Sequence, residues 1–109
     1  MTSRPLRALV TGASGGIGAA FARELAARGC HLALTARRED RLLALADELH
    51  AQHSIDAQVI AADLSRSDAP RRIVEEIARR GLHIDILINN AGYGVPGNFL
   101  ASDWLTHVD

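Results

Sequence analysis

The sequence predicts an α/β fold, a three-layer arrangement in which helices cover both faces of a parallel sheet. Four short apolar segments, typical of buried strands, alternate with three segments whose apolar residues recur at helical spacing. Strands that alternate with helices of this length pair in parallel through right-handed crossovers. A glycine-rich turn, Thr11 to Gly18, joins the first strand to the first helix. Together these features favour half of a doubly wound sheet with strand order 3-2-1-4.

The first strand and the first helix flank this turn. Leu6 to Val10 is the apolar run expected of a short buried strand. Ile17, Phe21 and Leu25 recur every four residues and predict one face of a helix, which Gly29 is placed to end. Backbone N–H groups at the start of such a helix, together with its dipole, favour an anionic ligand. Taken alone the turn is also compatible with ordinary turn chemistry, because its spacing is neither G-x-G-x-x-G nor that of a P-loop.

The remaining elements follow in alternation. The predicted second, third and fourth strands are Cys30–Ala36, Ala57–Ala62 and Ile84–Ile88. Two further helices are indicated by apolar faces, with Ser67 or Asp68 as the cap of the second and Gly81 as its end. Those faces comprise Leu42, Leu45, Ala46 and Leu49, and then Ile73, Val74 and Ile77. In a doubly wound sheet the ligand lies beyond the carboxyl ends of strands 1 and 4, where the glycine turn and a loop from Asn89 to Asn98 would meet.

Composition sets limits on the function. The chain has 109 residues and a net charge of −1, so it fits one domain and shows no field that would favour nucleic acid or an anionic membrane. No apolar run approaches the roughly 20 residues of a membrane helix. One cysteine, Cys30, excludes an internal disulfide and suits a cytoplasmic location. Five scattered histidines lack the cysteine or acidic partners of a metal site, so no metal is expected.

The end of the sequence leaves the fourth strand without a neighbour. This strand is nearly all isoleucine, leucine and asparagine, which makes an exposed edge a pairing hazard. The last residues, with Ser102 as a cap and Trp104 on one side, indicate the beginning of a further helix. We therefore expect residues 1–109 to be a single but partial domain that lacks its C-terminal half, although a shorter complete domain is the alternative.

Three motifs give the chain a strong resemblance to the short-chain dehydrogenase/reductase family. Thr11-Gly12-Ala13-Ser14-Gly15-Gly16-Ile17-Gly18 resembles the family's cofactor loop, Asp63-Leu64 its adenine-contacting pair, and Asn89-Asn90-Ala91-Gly92 its second signature. Each motif is moderately specific, but their order and their positions at strand ends are highly specific. The resemblance covers essentially the whole chain and about the first half of a typical member. It implies a Rossmann-like dinucleotide-binding fold.

Roles for the site residues follow from this resemblance and from their chemistry. Phosphates would be wrapped by the backbone of the turn, with the Ser14 hydroxyl as an additional donor. The residues expected there are Gly12, Ser14, Gly15, Gly16, Ile17 and Gly18. Asp63 and the Leu64 N–H would contact adenine, unless Asp63 is a turn or helix cap. Asn90 and Ala91 would contact ribose, Gly92 would keep the crevice floor flat, and Asn89 would tie strands together.

The end of the second strand predicts the cofactor. Ala36 occupies the position of the family's NAD-selecting aspartate, and Arg37 follows it directly. A guanidinium at this point can bind a 2′-phosphate through charge-assisted hydrogen bonds. We therefore expect NADP(H) rather than NAD(H), while Arg38 is expected to be solvated.

The family's catalytic residues are not found in this sequence. The resemblance implies a serine and a Tyr-x-x-x-Lys pair, but the only tyrosine is Tyr93, with Gly97 four residues later, and the chain has no lysine. The expected function is an NADP-dependent oxidoreductase acting on a small carbonyl or alcohol, full-length forms being homo-oligomers. The chain alone is expected to show no turnover. The alternatives are a non-catalytic dinucleotide-binding module and an inactive truncated product.

Overall fold

The computed structural model describes residues 4–90. The elements along the chain are β1 (Arg7–Thr11), α1 (Gly16–Ala27), β2 (His31–Ala36), α2 (Glu39–His53), β3 (Ala57–Ala61), α3 (Ala69–Arg79) and β4 (Ile86–Asn89). All strand pairs are parallel, and the strands lie side by side in the order β3-β2-β1-β4. The predicted Rossmann-like topology is thereby confirmed. The later part of the Asn89–Asn98 loop and the helix expected after Ser102 lie outside the described residues.

The central strand β1 divides the core into two layers. Ala8 and Val10 pack on one side with residues of α1 and α2, whereas Leu9 packs on the other side with α3. Successive side chains of a strand point to opposite faces, so an apolar run without polar alternation suits a strand that is covered on both faces. Leu9, Leu32, Leu34, Leu42, Leu49 and Ile73 are among the largest fully buried side chains.

The face predicted for α1 was wrong by one residue. Gly18, Ala22 and Ala26 are its buried residues, whereas Ile17 and Phe21 are 68% and 45% exposed. The reason is the close approach of α1 to the turn that precedes it. A Cβ atom at position 18 would lie 2.8 Å from the carbonyl carbon of Gly12 and 3.0 Å from Nδ2 of Asn90. Small residues therefore face the sheet, and Ile17 and Phe21 face outward, whereas Leu25 is partly buried and packs against the core as predicted.

We predict that Gly18→Ala destabilises the fold by about 1–3 kcal/mol, because the added methyl group meets backbone atoms that cannot rotate away. Denaturant unfolding monitored by circular dichroism would measure this difference. Gly16→Ala is the matched control, since a Cβ at position 16 meets nothing within 4 Å. Equal stability of the two variants would contradict the close approach.

Asp85 joins the amino ends of β1 and β4. Its Oδ2 atom accepts hydrogen bonds from the Arg7 N–H at 2.9 Å and from Nη1 of Arg4 at 3.0 Å. Oδ1 accepts from Nη2 of Arg4 at 2.7 Å, and the carboxylate side chain is only 14% exposed. The hydrogen bonds from Arg4 lower the pKa of Asp85 below its ordinary value, and the Arg7 N–H and the charge of nearby His83 act in the same direction.

A lowered folded-state pKa means that Asp85 stabilises the fold above the ordinary carboxyl pKa and loses this effect as the pH falls through the lowered value. We expect Asp85→Asn to lower the free energy of unfolding by about 1 kcal/mol at pH 7, after allowance for solvent screening. The difference from the wild type should shrink between pH 4 and pH 2, as roughly expected from the ordinary carboxyl pKa. Asp47→Asn, at an exposed α2 residue, should have no such effect; a pH-independent difference for Asp85→Asn would contradict the assignment.

Candidate functional site

Among residues 4–90, no side chain caps the N-terminus of α1. Its N-cap residue is Gly15, and its first turn contains no acidic residue. At this end of the helix the Ala19 N–H donates to the Gly15 carbonyl at 2.8 Å. Helix geometry leaves the N–H groups of the residues before Ala19, Gly16 to Gly18, without an intrahelical carbonyl. These donors and the helix dipole create a place for a negative charge.

The glycines of this turn fall into two kinds. Gly12 has a positive φ of 67°, and Gly18 lies against the Gly12 backbone, so the fold itself requires both. Gly15 has an ordinary extended conformation, and a Cβ at Gly15 or Gly16 would meet no atom of residues 4–90 within 4 Å. The fold does not need glycine at these two positions. Their lack of a side chain leaves the backbone open to close approach by a ligand.

Thr11 connects the turn to the end of β4. It is fully buried, and its Oγ1 atom donates to Oδ1 of Asn89 at 3.0 Å and accepts from the Asn90 N–H at 2.8 Å. The Asn89 side chain thus ties two neighbouring strands together, as expected. Asn90 in turn places Nδ2 beside Gly18. The first and third sequence motifs therefore meet at the carboxyl edge of the sheet.

Arg37 and Asp63 lie at the carboxyl ends of β2 and β3. Arg37 is exposed and makes no hydrogen bond or ion pair with any residue from 4 to 90. Oδ1 of Asp63 accepts from the Ser65 N–H at 3.0 Å and from the Ser65 hydroxyl at 2.6 Å. These two bonds lower the pKa of Asp63, and the charges of Arg37 and Arg66 lower it further. Asp63 therefore caps its own turn through Oδ1, which is the alternative role given for it in the sequence analysis. Its Oδ2 atom has no hydrogen bond to the described residues.

A cleft of about 710 Å³ opens beside these two residues, between β3 and the face of α3. Its floor is apolar and its walls are charged. The lining residues are Arg37, Ile60, Ala61, Ala62, Asp63, Arg66, Asp68, Ala69, Arg72, Ile73, Glu76 and Arg80. Leu64, which follows Asp63, is 6% exposed and packs in the core beneath α3, so its side chain does not line the cleft.

The structure thus sorts the predicted site residues into two groups on one edge of the sheet. The glycine turn and Asn90 form the first group, and Arg37 with Asp63 forms the second. Ala91 and Gly92 lie outside the described residues, as does Tyr93. The sequence-based prediction included neither Arg66 nor the role of Thr11. Two features could have indicated them, a basic residue three positions after Asp63 and a hydroxyl directly before Gly12. Arg38 pairs with Asp40 at 3.2 Å on the exposed surface.

The comparison with known protein families decides the assignment. The family described as short chain dehydrogenase matches residues 7–106. This chain belongs to the short chain dehydrogenase family. Its relatives include a very-long-chain 3-oxoacyl-CoA reductase of Candida glabrata, 41% identical over 98 residues, covering 88% of this chain and 28% of the relative. Another is a glucose 1-dehydrogenase of Gluconobacter oxydans, 38% identical over 90 residues, covering 83% of this chain and 34% of the relative.

Solved structures of short chain dehydrogenases show the same fold. L-sorbose reductase from Gluconobacter frateurii, in complex with NADPH and L-sorbose, superposes with a TM-score of 0.77 at 35% identity, over 82% of this chain and 34% of that one. A short-chain dehydrogenase from Sphingobium yanoikuyae in complex with NADPH gives a TM-score of 0.72 at 41% identity, over 80% of this chain and 34% of that one. The chain spans about a third of the length of these relatives. Among residues 4–90, no helix is long and apolar enough to cross a membrane.

Two buried threonines provide a test of the connection between the turn and β4. Thr11 and Thr35 are register partners on β1 and β2, and both are fully buried. Thr11→Val removes the donor and acceptor for Asn89 and Asn90 and should lower the free energy of unfolding by about 1–3 kcal/mol. Thr35→Val should be neutral or stabilising, because Oγ1 of Thr35 has no partner within residues 4–90. Denaturant titration of both variants measures the contrast, and equal effects would refute it.

Proposed function

We propose that this chain is the cofactor-binding part of an NADP-dependent oxidoreductase. When bound, the nicotinamide would supply or accept the hydride exchanged with a carbonyl or alcohol carbon. The protein's own part in this proposal is to bind and orient the dinucleotide. The observation that carries the proposal is an open glycine turn at the start of α1, which no side chain among residues 4–90 caps. It is followed, at the end of the next strand, by Arg37, which has no ion pair within the same residues.

The pyrophosphate fits the turn for physical reasons. The open N–H groups at the start of α1 are donors that need an acceptor, and the dipole favours an anion there. Gly15 and Gly16 leave room for phosphate oxygens to reach the backbone. The other helices of the described part differ: α2 has Glu39 and Asp40 in its first turn, and α3 has a proline there. Of these three helix starts, α1 has the best features for an anion.

The adenosine end fits the second group of residues. Asp63 retains Oδ2 as an acceptor for an amino group such as that of adenine, because Ser65 occupies only Oδ1. The Arg37 guanidinium has no hydrogen-bond or ion-pair partner in the described part of the chain, and phosphate is the bidentate acceptor that suits it. NADPH in the two related structures supports NADP(H) over NAD(H) for this chain. Asn90, close to Gly18, is proposed to contact the cofactor ribose together with Ala91, above the floor formed by Gly92.

The chemistry of the complete reaction needs more than these residues. The sequence contains no lysine, so the Tyr-x-x-x-Lys pair implied by the resemblance is not within it. We propose that the 109-residue chain binds the dinucleotide without turnover. The lack of a Tyr-x-x-x-Lys pair in this sequence also favours the second candidate function, that of a non-catalytic dinucleotide-binding module. The substrate class, a cytoplasmic location and a homo-oligomeric full-length form remain predictions from the sequence.

Titration of the purified chain with NADPH and NADH tests the cofactor. We expect tighter binding of NADPH, and we expect Arg37→Asp to weaken NADPH about 10- to 100-fold while NADH changes little, because charge-assisted bonds to the 2′-phosphate are lost. Arg28→Asp is the charge-matched control, since Arg28 is the C-cap of α1 at the other edge of the sheet. Tighter binding of NADH by the wild type would reject the proposal. Sustained NADPH oxidation by the 109-residue chain with a carbonyl compound would reject the proposal that the chain shows no turnover.

A further inference from the structure

Arg66 shares the cleft with Arg37 on the turn between β3 and α3. Both side chains line the cleft together with Asp63, and both charges act on the Asp63 carboxylate. Neither forms an ion pair with Asp63, whose Oδ1 atom is held by Ser65. Two arginines from different strand ends therefore converge on one carboxylate that does not neutralise either of them directly.

The one ion pair that Arg66 makes with residues of the described range 4–90 is weak. Its Nε atom lies 3.4 Å from Oδ1 of Asp68, and its side chain is 66% exposed. Asp68 is also shared with Arg72, at 4.0 Å. Exposed single contacts of this kind contribute little to stability, so Arg66 can exchange Asp68 for a better acceptor at small cost. The lining of the whole cleft contains four arginines and three carboxylates.

We propose that Arg66 is a second specificity-determining residue for the adenosine 2′-phosphate, acting with Arg37. The proposal rests on the proposed NADP(H) function. With Arg37 alone, a phosphate dianion entering beside Asp63 would meet one cation and one anion, and their effects would largely cancel. Arg66 gives this end of the cleft its excess of positive charge. A ligand without the 2′-phosphate would gain little binding free energy from this positive charge.

Fragments of the cofactor isolate this contribution. The 109-residue chain is titrated calorimetrically with 2′,5′-ADP and with AMP, which differ only in the 2′-phosphate. We expect Arg66→Gln to weaken the binding of 2′,5′-ADP about fivefold and that of AMP less than twofold, as expected for a partly exposed charged contact. Arg66→Lys should retain part of the preference. Arg71→Gln is the matched control, because Arg71 lies on the exposed face of α3 outside the cleft and loses the same charge.

The outcomes separate this inference from the proposed function. If the wild type prefers 2′,5′-ADP and Arg66→Gln loses most of that preference while Arg71→Gln keeps it, the inference is supported. If Arg37→Gln loses the preference but Arg66→Gln keeps it, NADP(H) binding stands and the role of Arg66 is overturned. Equal weakening of both ligands by Arg66→Gln overturns it as well. A wild type that binds both fragments equally, or neither, overturns the proposed cofactor choice and this inference together.

Discussion

The close approach of α1 to the end of β1 is the constraint on which the site depends. Gly12 turns the chain with a positive φ, and the absence of a side chain at Gly18 lets the helix lie directly against the Gly12 backbone and Asn90. This contact brings the start of α1 to the carboxyl edge of the sheet, where the N–H groups of its first turn are presented. It also explains the small residues on the buried face of α1, since Ala22 and Ala26 continue the line that Gly18 begins.

The two parts of the site use different kinds of electrostatics. At the glycine turn the positive potential comes from backbone dipoles, which are fixed by the fold and need no ionisable group. In the cleft it comes from arginine side chains set among carboxylates. A ligand with a diphosphate at one end and a further phosphate near an adenosine matches both. Thr11 holds the first part to β4 by hydrogen bonds within a fully buried environment, where such bonds are strongest.

Sequence reasoning was most successful where local pattern determines structure. The four strands, the three helices and the sheet order follow from apolar periodicity and crossover rules, and the structure has them all. It failed for Ile17 and Phe21 because a four-residue repeat identifies a face but does not say which face meets the sheet. Here a helix–turn contact, invisible in the pattern, makes Gly18, Ala22 and Ala26 the inward residues. For Asp63 the sequence left two roles open, since only the fold shows that Ser65 occupies one oxygen. Arg66 was not predicted because it and Arg37 lie in different connections between strands. These connections are far apart in sequence, and only the fold brings them to the same cleft.

The location of the charge at the end of β2 explains how this fold could select a phosphorylated ribose. Ala36 is 6% exposed and belongs to the apolar core formed with α1 and α2. A carboxylate at this position would lie in that core and would need a hydrogen-bond donor, such as a ribose hydroxyl, to compensate for its burial. Alanine removes this requirement and removes the negative charge that would repel a 2′-phosphate. Arg37, one residue later, is already exposed, so its guanidinium could bind a ligand without disturbing the core. The proposed selection for the phosphate is thus compatible with an unchanged strand.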